Sequence, residues 1–80
     1  MVHISQAENT VVPAILALEA MGMRIEVHAG RVVASSDLGR FTADDPVCVL
    51  GLVALVRSRG ENWQASEEEI TSTLRRFAQL

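Results

Sequence analysis

The stretch "MRIEVHAGRVVASS", residues 23–36, decides how the rest of the chain must fold. Met23, Ile25 and Val27 alternate with Arg24, Glu26 and His28, the period of two expected of a strand with one wet face. Ala29-Gly30 then supplies a two-residue turn, with glycine for a positive φ. Pairing His28 with Arg31 sets Val27 opposite Val32 and Ile25 opposite Ala34. All the alternating apolar side chains then share one face. Arg24, Glu26, His28, Arg31, Val33 and Ser35 fall on the other face, which is expected to be wet. A slip of one residue would turn one strand's apolar set to solvent. The stretch therefore predicts an antiparallel hairpin whose apolar face needs a cover.

The flanking segments supply that cover. Upstream, Asn9 or Thr10 offers an N-cap and Pro13 falls in a first helical turn, where its missing N–H costs nothing. Val11, Ile15 and Leu18 line one face of a helix over about 10–21, with Ala14 and Met21 beside them, and Gly22 is a natural stop. Residues 1–8 are expected to be a frayed lead-in. Downstream, "SDLG" reads as a turn and "RFT", residues 40–42, as a short third strand with Phe41 pointing inward. Asp44-Asp45-Pro46 opens a second helix that runs to Arg59 and stops at Gly60. After the loop "ENWQA", Ser66 and Glu69 form a capping box for a third helix over 67–78, with Ile70, Leu74 and Phe77 as its apolar stripe. The order α-β-β-(β)-α-α predicts an α+β fold. Three helices pack on one face of a short antiparallel β-hairpin or three-stranded sheet, and residues 1–80 make one small domain.

The second helix raises the functional question. "VCVLGLVALV", residues 47–56, carries no charge. At about 100° per residue, Val49, Leu52, Val53 and Val56 make a core face. Val47, Gly51, Ala54 and Ser58, mostly small, lie opposite, and Cys48, Leu50 and Leu55 fill the flanks. A helix apolar all round should be covered all round. A small sheet covers one face and neighbouring helices the sides, which leaves the small-residue face open. Val12 and Leu16 sit off the core stripe of the first helix, beside Glu19, on ground that should be wet. Exposed apolar patches of this kind mark interfaces. The expected interface residues are Val12, Leu16, Val47, Leu50, Gly51, Ala54, Ser58 and Trp63. Trp63, in a polar loop, is either a lid on the core or an exposed anchor for a partner.

Bulk properties narrow the function classes. A chain of 80 residues buries roughly 60–65% of its unfolded surface, a thin margin of stability. With 49% hydrophobic and only 4% aromatic residues, the core must be built from Val, Leu, Ile, Ala and Met. The formal net charge is −3, and all seven basic residues are Arg. A mildly acidic chain without a basic cluster is a poor nucleic-acid binder, so no nucleic-acid partner is expected. The single cysteine, Cys48, allows no intrachain disulfide, the N-terminus lacks an apolar leader, and the apolar block is about half a membrane span. These features predict a soluble cytoplasmic protein with no membrane partner.

Signs of catalysis are weak. Cys48 has no base in reach of the argument, since the histidines are His3 in the lead-in and His28 at the hairpin, so it is expected to be a small buried hydrophobe. Asp44 and Asp45 are explained as helix caps. Glu67, Glu68 and Glu69 in a first turn suit the helix dipole, as do Arg57, Arg59, Arg75 and Arg76 in last turns. No spacing fits a metal site, a phosphate loop or a nucleophile elbow. No catalytic, cofactor-binding or metal-ligating residue is expected, and the chain is not expected to be an enzyme. The second and third helices make a poor helix-turn-helix, because the connecting loop is long and Glu67–Glu69 would repel phosphates. The reading is a non-enzymatic interaction domain of the bacterial adaptor, inhibitor or immunity type. It would act through an apolar helix surface on another polypeptide or on itself as a homodimer. The alternatives are a DNA-associated transcriptional regulator and a small accessory subunit of an enzyme complex. The sheet edge offers a second route to a dimer.

Overall fold

The hairpin forms in the dictated register. In the computed structural model, which describes residues 1–78, β1 (Arg24–His28) pairs antiparallel with β2 (Arg31–Ser36), His28 opposite Arg31, Val27 opposite Val32 and Ile25 opposite Ala34. Ala29 and Gly30 both take positive φ, 52° and 79°, the signature of a type I′ turn. The third strand is longer than the sequence suggested: β3 spans Gly39–Ala43 and pairs with β2, so that Phe41 lies opposite Ala34. The sheet order is β1-β2-β3.

The helices follow in the order α1 (Val11–Ala20), then, after the sheet, α2 (Pro46–Arg59) and α3 (Glu67–Arg76). The fold is α+β, α-β-β-β-α-α. Local chemistry accounts for most of the helix ends. At the end of α1, the Met23 N–H donates to the Leu18 carbonyl and the Gly22 N–H to the Glu19 carbonyl, with Gly22 at φ 83°. This is the Schellman arrangement, and its paired apolar residues, Leu18 and Met23, are both buried in the core. Asp45 caps α2 by accepting from the Cys48 N–H at 2.8 Å, with Pro46 as the first helical residue. Ser66 and Glu69 cap α3 reciprocally. The start of α1 differs from expectation. Neither Asn9 nor Thr10 caps it; a 3-10 turn over Glu8–Thr10 leads into the helix, and the Thr10 hydroxyl donates back to the Ala7 carbonyl.

The core lies between the sheet and two helices. Leu18 of α1, Met23, Val32 and Ala34 of β2, Phe41 of β3, and Val49 and Val53 of α2 form one buried cluster. α1 packs against β1 and α2, and α2 lies over β2 and β3. Three expectations are corrected. Leu52, assigned to the core face of the second helix, is exposed, because the buried arc of α2 is centred on Val49 and Val53. Val33, assigned to the wet face, is buried. It sits in the central strand between Glu26 and Thr42, where flanking side chains cover it from both sides. Val27 has the inner-face register but is 68% exposed, since it lies beyond the helical cover.

α3 is held differently. It has no buried residue, and Ile70, Leu74 and Phe77 all remain exposed. Its tie to α2 runs through Arg59, whose guanidinium donates to the Trp63 carbonyl at 2.8 Å and to the Glu69 carboxylate at 3.2 Å. Among the described residues, no helix is long and apolar enough to cross a membrane.

Candidate functional site

The outer face of the α1–α2 layer carries the candidate site. α2 turns Val49 and Val53 to the sheet, so helical geometry sends Gly51, Ala54 and Ser58 outward, and all three are exposed. The third helix does not fold across them. Apart from its chain neighbours and its own helix backbone, a methyl group built on Gly51 would meet no atom of the described residues within 4 Å. The same face therefore has room at its centre and apolar or small residues around it.

α1 extends this surface. Val12 and Leu16 are 62% and 58% exposed on its outward flank. Between the two helices, Val47 and Leu50 line an open groove with Pro13 and Ala14 of α1 and with His3 and Ile4 of the N-terminal segment. Val47 and Leu50 are half-buried, and Leu50 also packs against the core. The structure thus brings together seven of the eight sequence-predicted residues on one side of the molecule. Trp63 is separate. It is 42% exposed and lines a second groove with Leu55 and Arg59 of α2 and Ile70 and Leu74 of α3.

Sequence reasoning missed three contributors. Ile4 carried no periodic signal, because the N-terminal segment it lies in has no regular structure, and Pro13 was assigned to the first turn of the helix alone. Arg59 was assigned to the helix dipole alone, and its reach to Glu69, ten residues on, depends on how the loop returns.

The reactive groups are occupied. Cys48, expected to be buried, is exposed. Its thiol donates to the Asp45 carboxylate at 3.2 Å, and this bond, with partial desolvation and the charges of Asp45 and Asp44, pushes its pKa up. That is the opposite of the activation a helix N-terminus gives an unencumbered thiol. The Asp45 carboxyl is held below its ordinary range, first by the Cys48 backbone N–H and then by the thiol. Asp44 lies 3.4 Å from the Arg31 guanidinium. Among the described residues, no group of three or more His, Cys, Asp or Glu side chains is placed to hold a metal ion.

The arrangement suits shape recognition by apolar contact. From Pro46 to Val56, α2 presents no charged side chain, and Gly51 and Ala54 allow a neighbouring backbone to come close. No protein-family model matches the chain, and neither a curated protein sequence nor a solved structure is significantly similar to it.

Proposed function

We propose that this chain is a non-enzymatic interaction domain of the adaptor, inhibitor or immunity type, which seats an apolar helix on the outer face of α1 and α2. The helix would come from another polypeptide or from a second copy. One observation carries the reading: Gly51 is open to solvent, with no atom of the described residues, its chain neighbours and own helix backbone apart, within 4 Å of where a Cβ would stand. A mid-helix glycine costs about 0.5–1 kcal/mol relative to alanine. Among the described residues no close packing repays that cost, whereas close approach of a second backbone would. The exposed Val12 and Leu16 widen the same surface, and central apolar contact with little charge is how interface cores are built. A lone thiol with no cysteine partner fits a reducing compartment, so the cytoplasm is the proposed location.

Gly51→Leu tests the reading. The variant should fold as well as the wild type, because the site has room, and helix propensity favours leucine. It should lose the partner that the wild type retains in a pull-down or a cross-linking assay. Equal capture by both proteins would remove the α2 face from consideration.

A further inference from the structure

We propose that two copies of this chain pair through their β1 edges about a two-fold axis at Ile25, joining two three-stranded sheets into one continuous antiparallel sheet. The inference uses a different surface from the α2 face and does not depend on it.

β1 has a neighbour on one side only. Because His28 and Arg31 flank a two-residue turn, the backbone groups of His28, Glu26 and Arg24 face β2. Those of Ile25 and Val27 consequently face the open edge. Edge strands are ordinarily protected by proline, a bulge or an inward-pointing charge. β1 has none of these: its register with β2 runs without interruption, and its inner-face side chains are Ile25 and Val27. Val27 is mostly exposed there, while Val32 opposite it is buried. Directly above, α1 packs on β1. Apolar surface of the strand therefore lies uncovered at the open edge.

Charge selects both the occupant and the register. On the outer face, β1 carries Arg24, Glu26 and His28. With Ile25 opposite Ile25, Arg24 of each strand stands opposite Glu26 of the other, giving two opposite-charge pairs across the new seam. Moving the axis to Glu26 sets two carboxylates face to face. Moving it to Val27 sets Glu26 opposite His28, the residue it already bonds at 2.7 Å within its own strand, and leaves Arg24 opposite the turn residue Gly30 with no charge partner. A second copy thus complements this edge in the Ile25-centred register, the one that pairs Arg24 with Glu26 across both halves of the seam.

Sedimentation over a concentration series tests this, with circular dichroism to verify folding. The wild type should dimerise. Glu26→Arg should weaken the dimer about tenfold or more, because both cross-seam pairs become repulsive. The exchange Arg24→Glu with Glu26→Arg should restore affinity to within about threefold, because the pairs are re-formed with reversed sign. In the wild type, hydrogen exchange at the Ile25 and Val27 amides should slow as concentration rises. Gly51→Leu should leave the dimer intact. A wild type that stays monomeric at high concentration overturns the proposal, as does a Glu26→Arg variant that dimerises normally or a double exchange that fails to restore. A dimer lost in Gly51→Leu but kept in Glu26→Arg would assign self-association to the α2 face instead.

Discussion

α2 and α3 reverse the usual relation between a helix's pattern and its fate. α3 meets every local criterion: a reciprocal capping box, three acids in its first turn, two arginines in its last, and one clean apolar stripe. It buries no residue. α2 has apolar residues all round and no distinct stripe, yet Val49 and Val53 are fully buried. The cause is room on the sheet. Three strands spaced about 4.8 Å apart offer width for two helices whose axes lie about 8–10 Å apart. α1 and α2 take both places. Amphipathicity states which face a helix would bury; the area of the facing layer decides whether it can.

The largest expected effect tests this contrast directly. Val53→Ala should destabilise the fold by about 2–3 kcal/mol, from lost transfer energy plus a cavity that the close-packed cluster cannot fully close. Leu74→Ala removes more atoms but from a half-exposed side chain, and should cost less than about 1 kcal/mol. Denaturant titration of both variants measures the two numbers. Equal losses would mean that α3 contributes to the core as much as α2 does, and the contrast would fail.

How far the sequence reached follows the same division. Register, turn type and most helix ends were legible because each is set by residues within about four positions: the alternation around Ala29-Gly30, Asp45 before Pro46, Ser66 with Glu69. The open face at Gly51 and Ala54 was legible for a different reason, since it required only counting the faces of one helix against the elements able to cover them. The failures were all non-local. Leu52 is exposed and Val33 buried because of where α2 and the central strand sit, not because of their neighbours in sequence. Arg59 became a tether and Trp63 left the expected interface because the loop between α2 and α3 returns in a way no period encodes.

A smaller effect sharpens the contrast by separating the two helices in time. Ser66→Ala removes the side chain that accepts the Glu69 N–H and should cost α3 about 1 kcal/mol. If α3 opens on its own, its amides should exchange faster while the amides of Val32 and Ala34 stay protected and the global Tm hardly moves. A drop of several degrees in the global Tm would instead make α3 part of one cooperative unit with the sheet.

The smallest effect is the acid response, and it distinguishes the two helices by their caps. The Glu69 carboxyl is held below its ordinary range by the Ser66 backbone N–H and then by Arg59, and Asp45 is held low by the Cys48 N–H. For both, the folded pKa lies below the unfolded one. Their contribution is therefore present at neutral pH and fades as pH falls through the carboxylate range. Both groups are solvent-exposed, so screening keeps each contribution small. The consequences still differ. Protonating Asp45 weakens the cap of a helix that Val49 and Val53 continue to anchor. Protonating Glu69 weakens the cap of α3 and the Arg59 bridge together, and Arg59 also holds the Trp63 carbonyl. Trp63 emission should accordingly shift to the red at a pH where far-UV dichroism of the sheet and α2 is still native. Arg59→Gln removes the bridge and the bond to the Trp63 carbonyl outright, and should give the red-shifted emission already at neutral pH without moving the global acid transition. Emission and dichroism that titrate together in the wild type would show that the bridge and the core are lost as one, and that α3 is seated after all.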